Sequence, residues 1–359
     1  MATVLFDLRM VESRLHGIAR YALELVARLP RMRPEWTFLG LTGPRGLSAL
    51  GPLTPDLKLL RCPAAFLSVL EQPALTAALV RSRCDIFHAT SFSVPALGPG
   101  RLVATLHDAN HLAFPENFGL ATAAYYRFIV GPRLRRGATV LTVSNFSRRE
   151  LARELALDSS TIRVTPLAAD ARFTVRAGPT LQAFIRDHGL SLPYFAVVGN
   201  AKAHKNLGLL AQVAQLGFPQ MALACGPGVK VKFGFPEAAV ELPELSEDEL
   251  ALFYAGATAL LLPSRYEGFG LPALEAMASG CPVLAADAGA LPETVGDAGV
   301  LLSPDEAAPW VSALTRVSQD IPFRETLIRR GLARSRLYSW EQCAQQTLAA
   351  YDATLDGTA

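Results

Sequence analysis

The chain has 359 residues, which is enough for two domains with substantial apolar cores. Half of its residues are hydrophobic and 18% are charged, as in a well-buried globular protein. The formal net charge is only +2, so composition gives no argument for a nucleic-acid partner.

The five cysteines are scattered and show no metal-type spacing. Cys84, Cys225 and Cys281 lie in or beside apolar runs, which favours small core residues in a reducing compartment. Asp7 interrupts the first apolar run, which argues against a signal peptide. No run approaches the ~18 apolar residues of a spanning helix. We expect a cytoplasmic protein, and a position at the inner face of the membrane stays open.

Short apolar runs alternate with amphipathic helices along the chain. The predicted strands are Val4–Phe6, Thr37–Leu41, Ile86–His88, Leu102–Leu106, Val140–Val143, Ile162–Val164, Phe195–Val198, Met221–Ala224, Ala259–Leu262, Val283–Ala286 and Val300–Leu302. The predicted helices include Ile18–Leu29, Ser147–Leu155, Ser246–Tyr254 and Asp305–Val317, with capping boxes at Ser147, Ser246 and Ser303. This alternation is typical of α/β layers with helices on both faces of a parallel sheet.

The regular pattern breaks near Pro166–Pro179, where proline and glycine punctuate a stretch without periodicity. We therefore predict an N-terminal domain over residues 1–170 and a C-terminal domain over residues 171–338. A final segment, 339–359, contains a helix that begins near Trp340. Both domains are expected to be doubly wound and Rossmann-like, with ligands at the carboxyl ends of the strands.

A glycine-rich stretch, Pro263–Glu275, connects a buried strand to a helix. Gly268 and Gly270 allow a sharp turn and a close approach of backbone to ligand. Pro272 suits the first turn of a helix, where its missing N–H is not needed. The free N–H groups of such a turn, together with the helix dipole, suit an anion such as a diphosphate.

Two glutamates belong to this stretch, Glu267 in the loop and Glu275 about one turn further on, roughly 6 Å along the helix axis. Both could reach one elongated ligand. Spacing alone leaves other roles open, since Glu275 could complement the helix dipole and the pair could act as general acid and base.

Two further candidates lie at strand ends in the first half of the chain. Gly17, in Leu15–Tyr21, stands at a strand-to-helix turn, where glycine serves either anion approach or helix–sheet packing. His107 ends a strand, where functional residues of parallel sheets usually lie. A Ser-His-Asp hydrolase is disfavoured because the chain has no Gly-x-Ser-x-Gly. No pair of ligands on one helix supports a zinc site.

The first strand of the second domain is followed by Val198–Leu207, which contains Lys205 and Asn206. A lysine near a helix start, with asparagine as the N-cap, suits phosphate, although an exposed lysine beside a cap is the alternative. Tyr125–Arg136 interleaves aromatic residues with arginines. This pattern fits an ordinary solvated face, and a peripheral contact with an anionic membrane stays open.

The stretch from Pro263 to Val283 resembles the family-4 retaining glycosyltransferases, also called group-1 glycosyltransferases. Glu267 and Glu275 have the family's spacing of two glutamates, in a Glu-Gly-Phe-Gly-Leu-Pro context continued by Ala276–Val283. The resemblance implies the GT-B fold, in which two Rossmann-like domains face a deep cleft. It also implies that the chain end crosses back to the N-terminal domain at Tyr338–Glu341.

The resemblance also implies roles for individual residues. His107 and Glu267 would lie at the donor sugar, Gly17 under the donor diphosphate, and Glu275 at the nucleotide ribose. Backbone N–H groups of the turn would contact sugar and phosphate. Lys205 matches the family's phosphate-binding lysine, whereas Asn200 stands where many members have arginine, which leaves one charge contact unassigned. The donor-binding set is Gly17, Asn200, Lys205, Glu267, Gly268, Phe269, Gly270, Leu271 and Glu275, with His107, Glu267 and Lys205 as the catalytic residues.

The implied reaction moves a hexosyl group, with retention, from a nucleotide-diphosphate sugar to a hydroxyl acceptor. The acceptor would be a saccharide, a lipid-linked saccharide or a natural product. The chain contains no Asp-x-Asp sequence, so neither metal nor other cofactor is expected. Phe6–Arg9 with Gly17–Tyr21 is most similar to mannosyltransferase branches, which favours GDP-mannose, with UDP-hexose next. A GT-B epimerase or hydrolase and a non-catalytic nucleotide-sugar-binding protein remain the alternatives.

Overall fold

The computed structural model describes residues 1–11, 17–43, 57–115, 118–217 and 220–358. Leu15 and His16, from the predicted stretch Leu15–Tyr21, lie outside these ranges. The chain divides into two compact units. Unit 1 comprises Met1–Leu167 with Trp340–Ala359, and unit 2 comprises Ala168–Ser339.

In the described part of unit 1, seven parallel strands form one sheet in the order β3-β2-β1-β4-β5-β6-β7. The strands are β1 Thr3–Asp7, β2 Thr37–Thr42, β3 Lys58–Arg61, β4 Ile86–Ala89, β5 Arg101–Thr105, β6 Thr139–Thr142 and β7 Ile162–Val164. Strands β4 and β6 are buried along their whole length, as expected for a sheet covered on both faces.

The helices of unit 1 cover this sheet. They are α1 Gly17–Met32, α2 Glu71–Ser82, α3 Asn110–Ala113, α4 Leu120–Tyr125, α5 Gly131–Arg135, α6 Asn145–Leu155 and, from the chain end, α15 Trp340–Asp356. Arg28 of α1 and Arg33, which directly follows α1, form ion pairs with Glu341 and Asp352 of α15, at 2.9 and 2.5 Å. The final helix is thus an integral part of unit 1, and it begins at the predicted Trp340.

The described part of unit 2 repeats the arrangement with six parallel strands, in the order β10-β9-β8-β11-β12-β13. The strands are β8 Tyr194–Val198, β9 Gln220–Ala224, β10 Val240–Glu241, β11 Ala259–Leu262, β12 Val283–Ala286 and β13 Val300–Leu302. The helices are α7 Pro179–Asp187, α8 Leu207–Ala214, α9 Val229–Phe233, α10 Glu247–Gly256, α11 Leu271–Ala278, α12 Leu291–Val295, α13 Ala307–Gln319 and α14 Ile321–Ser335.

Each sheet has one point where the strand order reverses, between β1 and β4 in unit 1 and between β8 and β11 in unit 2. In doubly wound sheets ligands bind outside the carboxyl ends of the strands at this point. The prediction of two Rossmann-like α/β domains is confirmed, and it directs attention to the loops that follow β8 and β11.

Two short strands are absent from the predicted set, β3 and β10. Both lie at a sheet edge, and neither contains a fully buried residue. An edge strand needs no continuous apolar run, because one side of its ladder faces solvent. The sequence signal that located the central strands is therefore missing from these two.

Helix starts were predicted with mixed success. The capping box of Ser246 and Glu249 is confirmed. The prediction at Ser147 is wrong, because α6 begins at Asn145 and the Ser144 side chain accepts from the Ser147 amide at 3.0 Å. The prediction at Ser303 is also wrong, since its hydroxyl accepts from the Asp305 amide at 3.2 Å and α13 begins at Ala307.

Among the described residues, no helix is both long enough and apolar enough to cross a membrane.

Candidate functional site

The candidate site of unit 2 consists of the loops that follow the two strands at the point of strand reversal. Loop 199–206 follows β8, and loop 263–270 follows β11. The Arg265 amide donates to the His204 carbonyl at 2.8 Å, which joins the two loops directly. This backbone link brings the predicted lysine and the first predicted glutamate into one neighbourhood.

Asn206 is a second link between these loops. Its side-chain amide donates to the Pro263 carbonyl at 3.1 Å and to the Pro304 carbonyl at 2.7 Å. Asn206 has a left-handed backbone (φ 54°, ψ 34°) and makes no side-chain cap bond to α8. Asn206 thus stands at the predicted N-cap position of α8, but its side chain bonds these two carbonyls and does not cap the helix. Asparagine tolerates the left-handed region better than most residues, and here its amide ties three loops together.

Lys205 and Glu267 form an ion pair at the centre of this arrangement. Lys205 Nζ donates to Glu267 Oε1 at 2.7 Å, and the two side chains are only 15% and 12% exposed. A Cβ on Gly199 would lie 3.7 Å from Lys205 Cδ, so the lysine stem runs over this glycine. The sequence-predicted cation and carboxylate thus meet, and each partly neutralises the other.

His204, beside Lys205, does not share its charge. Burial and, to a smaller extent, the Lys205 ammonium together lower the pKa of His204 to about 4. A histidine with that pKa is neutral near pH 7. The positive charge of the turn Ala203–Lys205 is therefore carried by Lys205.

The backbone of Glu267 is held from the side of loop 287–290. The Ala290 amide donates to the Glu267 carbonyl at 2.9 Å. Gly289 has a φ of +62°, and a Cβ there would lie 2.7 Å from the Glu267 amide nitrogen and 3.0 Å from its carbonyl oxygen. Only glycine allows this approach, so Gly289 fixes the course of the chain at Glu267.

The start of α11 follows directly after Glu267. Gly270 has a left-handed backbone with a φ of +92°, and Pro272 stands in the first turn, as predicted. A Cβ on Gly270 would lie 2.9 Å from Leu291 Cδ2. The Thr294 hydroxyl donates to the Phe269 carbonyl. Contacts from α12 therefore hold the turn that carries the first N–H groups of α11.

Helix α12 is itself held by Arg334 of α14. Arg334 donates from Nε to the Thr294 carbonyl at 3.0 Å and from Nη2 to the Glu293 carbonyl. The Tyr338 ring packs edge-on against Phe269 with centroids 5.6 Å apart. Arg334 and Tyr338 thus support the glycine-rich turn from outside.

Glu275 lies on α11 and is only 4% exposed. The Tyr254 hydroxyl donates to Glu275 Oε2 at 3.4 Å. The sequence-predicted Glu275 is thus on the helix wall, as the turn geometry required.

Asn200 is exposed, and its Oδ1 accepts from the Lys202 amide at 3.2 Å. The side chain closes a local turn of the backbone. Whether it also contacts a ligand stays a prediction.

In unit 1, His107 follows β5 and is half-buried. Its Nε2 lies 3.1 Å from the Thr90 carbonyl, and the Ser147 hydroxyl donates to the His107 carbonyl at 3.0 Å. A carbonyl only accepts, so the proton of this bond is on Nε2. Gly17 is exposed at the start of α1, and a Cβ there would meet nothing within 4 Å.

The segment Tyr125–Arg136 is not uniformly exposed. Tyr126 is 1% exposed and stacks on Phe92 with centroids 5.2 Å apart, and the Tyr125 hydroxyl donates to the Val94 carbonyl at 3.1 Å. Phe128 is 71% exposed. Two of the three aromatic residues therefore serve the fold of unit 1, and a membrane contact stays a prediction carried by Phe128 and the arginines.

Across the described ranges, no three His, Cys, Asp or Glu side chains are grouped as a metal site would require. Two pockets of about 410 and 440 Å³ lie elsewhere in unit 2. The first is lined by α14, and the second includes Pro193, Thr258 and Pro282, which precede β8, β11 and β12. Amino ends of parallel strands are not where such folds place ligands, so neither pocket is assigned a function.

Comparison with known families agrees with this geometry. Residues 15–173 match the family described as Glycosyltransferase Family 4, and residues 193–320 match the one described as Glycosyl transferases group 1. The chain belongs to the family-4, group-1 glycosyltransferases. The match over 193–320 includes Lys205, Glu267 and Glu275.

Individual relatives of this glycosyltransferase extend over the whole chain. It is 29% identical to the O-antigen chain mannosyltransferase B of Escherichia coli, over 97% of this chain and 99% of that one. Sucrose-phosphate synthase of Thermosynechococcus elongatus superposes with a TM-score of 0.77 at 18% identity, covering 99% and 100% of the two chains. Anabaena Alr3699/HepE, solved with UDP-glucose, gives 0.75 at 16%, covering 98% and 100%. These likenesses confirm the predicted GT-B fold.

Several residues that build the site of this glycosyltransferase were not predicted. They are Gly289, Ala290, Thr294 and Arg334, all of which act on the backbone of the loops rather than through charges of their own. Asn206 was predicted as a helix cap and not as the link between loops. Gly289 alone had a local signal, because glycine in a strand-to-helix loop suggests a close approach. The others depend on partners far away in sequence.

Proposed function

We propose that this glycosyltransferase transfers a hexosyl group from a nucleotide-diphosphate sugar to a hydroxyl acceptor, with retention and without a metal. The observation that carries the proposal is the ion pair of Lys205 and Glu267 beside the start of α11. It combines a cation for phosphate with a carboxylate for the sugar, at the position where doubly wound sheets bind ligands.

Departure of the nucleoside diphosphate builds negative charge on its β-phosphate. In the proposal, Lys205 and the N–H groups of Phe269, Gly270 and Leu271 stabilise that charge. Donors aimed beforehand at developing charge are usually the largest catalytic contribution. Lys205 supplies a positive charge for this step, and the absence of an Asp-x-Asp sequence agrees with a metal-free reaction.

Glu267 is proposed to position the donor sugar rather than attack it. Its Oε1 accepts from Lys205, and its backbone is fixed by Ala290. The acceptor hydroxyl would attack on the face that the diphosphate leaves, its proton passing to a phosphate oxygen of the leaving group. One C–O bond forms and one breaks, and no covalent enzyme intermediate is needed.

His107 of unit 1 is proposed to contact the donor sugar. Its Nε2–H donates to the Thr90 carbonyl, which holds the imidazole at the carboxyl end of β5. Glu275 is proposed to accept from the ribose hydroxyls, and Gly17 to let the diphosphate approach the backbone. Each of these roles follows from the family's motifs.

The donor is proposed to be GDP-mannose, with a UDP-hexose as the second candidate. The E. coli relative that covers the whole chain is a mannosyltransferase by name, whereas Alr3699/HepE is solved with UDP-glucose. The E. coli relative supports mannose as the sugar of the donor. Alr3699/HepE is the reason to test uridine nucleotides as well.

A thermal-shift screen against GDP, UDP, dTDP and their sugar conjugates tests the donor site. A ligand at ~100 times its dissociation constant stabilises the folded state by roughly 2.7 kcal/mol. We expect one nucleotide to shift the melting temperature selectively. The shift should be absent in Glu275→Ala, because the ribose hydroxyls lose their carboxylate acceptor, and reduced in Glu275→Gln, which keeps one acceptor oxygen. No shift with any nucleotide at millimolar concentration would contradict the proposal.

Product analysis with the selected donor then identifies the reaction. Turnover that requires an added saccharide acceptor and yields the donor's anomeric configuration supports a retaining transferase. Sugar release or epimerisation at an equal rate without acceptor would instead assign the hydrolase or epimerase alternative.

Replacing Gly17 by alanine tests whether the diphosphate approaches the backbone at this residue, without lowering the stability of the fold. The added methyl group meets nothing within 4 Å, and alanine favours a helix by about 0.5–1 kcal/mol over glycine, so stability should not fall. We expect the dissociation constant of the nucleoside diphosphate to rise about tenfold, because a methyl group separates backbone and phosphate by more than 1 Å. The corresponding nucleoside is the control, and its binding should not change. Equal binding of the diphosphate by both proteins would refute the role of Gly17.

A further inference from the structure

A buried chain of hydrogen bonds crosses unit 1. The Tyr351 hydroxyl of α15 lies 2.6 Å from His88 Nδ1, and His88 Nε2 lies 2.8 Å from the Thr105 hydroxyl. The Thr105 hydroxyl lies 2.8 Å from the Tyr21 hydroxyl of α1. All four side chains are fully buried. This series of hydrogen bonds, called here the hydrogen-bond chain, therefore joins the last helix, two central strands and the first helix.

His88 is neutral in this hydrogen-bond chain. Burial and, to a smaller extent, the nearby His107 together lower its pKa to about 3. A neutral imidazole donates through one nitrogen and accepts through the other, so both of its hydrogen bonds are used. Every polar side-chain group of this hydrogen-bond chain is thereby paired, and a fully paired buried network holds its members in one geometry.

The hydrogen-bond chain ends at Tyr21, whose ring contacts His107. The Tyr21 ring packs edge-on against the His107 ring, with centroids 4.9 Å apart and planes at 87°. The Tyr21 hydroxyl is also reached by Thr165 and by Thr347, a second residue of α15. The position of the Tyr21 ring is thus fixed from its hydroxyl end, and that ring limits how the imidazole can turn.

We propose that helix α15 orients the His107 imidazole through Tyr351, His88, Thr105 and Tyr21, which makes Tyr21 and Tyr351 positioning residues for glycosyl transfer. The inference rests on the proposed function, in which His107 contacts the donor sugar. It gives the last helix a role in the reaction beyond completing the fold of unit 1.

The first test replaces Tyr351 by phenylalanine, which keeps the ring and removes the hydroxyl. With GDP-mannose, or the sugar nucleotide that the thermal-shift screen selects, kcat should fall about tenfold, because small misplacements of a contacting group cost that much or more. The dissociation constant of the free nucleoside diphosphate should not change. Tyr194→Phe is the matched control, since Tyr194 is equally buried and donates to the Phe253 carbonyl of unit 2 at 2.7 Å. Its kcat should equal that of the parent.

A double-mutant cycle decides whether the effect passes through His107. In a His107→Ala background, adding Tyr351→Phe should leave kcat within about twofold, because the group to be positioned is gone. A tenfold loss in both backgrounds would overturn the inference. If His107→Ala itself leaves kcat unchanged, the proposed role of His107 in the reaction fails. If only Tyr351→Phe leaves kcat unchanged, the role of His107 stands and the positioning role of Tyr351 fails.

A spectroscopic readout does not depend on turnover. Nitrogen NMR of the full chain labelled in histidine reports which ring nitrogen of His107 carries the proton. Tyr351→Phe should change the His107 signals, and Tyr194→Phe should not. If Tyr351→Phe does not fold, Tyr21→Phe removes the hydroxyl at the other end of the chain and has the same expected result. Unchanged His107 signals in the folded variant would overturn the inference.

Discussion

Replacing Lys205 by methionine should lower kcat/KM for the nucleotide sugar by about 10²–10³, the loss typical for removal of one aimed electrostatic donor. Methionine keeps much of the stem that runs over Gly199 and removes the charge. His204, the neighbour of Lys205 in loop 199–206, does not replace that charge in the proposed reaction, because it is neutral near pH 7.

The same substitution should also reduce stability. Glu267 is 12% exposed and would lose the ammonium that lies 2.7 Å from its Oε1. A buried hydrogen-bonding group without its partner costs about 1–3 kcal/mol. We therefore expect the free energy of unfolding of Lys205→Met to fall by that amount, measured by urea denaturation.

The double variant Lys205→Met/Glu267→Gln separates the two effects. Its stability should recover most of the loss, because an amide tolerates burial without a cation better than a carboxylate does. Its activity should stay low, because the phosphate still lacks a cation. Recovery of both quantities together would mean that Lys205 serves only to hold Glu267. Lys205→Arg keeps the charge and is the conservative comparison.

The central strands could be predicted from sequence because they are buried along their length. Ala259–Leu262 and Val283–Ala286 coincide with their predicted bounds. In such strands apolar residues follow one another without interruption, and helix-rich segments lie on either side. The edge strands β3 and β10 lack that signal, since their residues are partly exposed.

The charged residues of the site could be predicted, and most of the residues that hold them could not. Lys205, Glu267 and Glu275 are marked by family motifs and by their position after strands. Asn206 binds carbonyls 57 and 98 residues away, and Arg334 binds carbonyls 40 and 41 residues away. Such bonds depend on how loops meet in three dimensions, which no local pattern records.

Gly289 is the supporting residue with the most direct consequence for Glu267, and its replacement by alanine should inactivate the protein. Two effects add. The left-handed backbone, with a φ of +62°, costs an L residue about 1–2 kcal/mol. The new methyl group would also lie 2.7 Å from the Glu267 amide nitrogen, which cannot yield without moving the loop. We expect a total loss of about 3 kcal/mol or more of unfolding free energy, since overpacking alone typically costs 1–3 kcal/mol.

Gly189→Ala is the control for backbone strain alone. Gly189 has nearly the same φ, +63°, and a Cβ there would meet nothing within 4 Å. Its variant should lose only about 1–2 kcal/mol and keep full turnover. Folded Gly289→Ala, in contrast, should lose at least tenfold in kcat, because displacement of the Glu267 backbone draws its carboxylate away from Lys205 and the sugar. If the two alanine variants are equally stable and equally active, the contact between Gly289 and Glu267 does not hold the site.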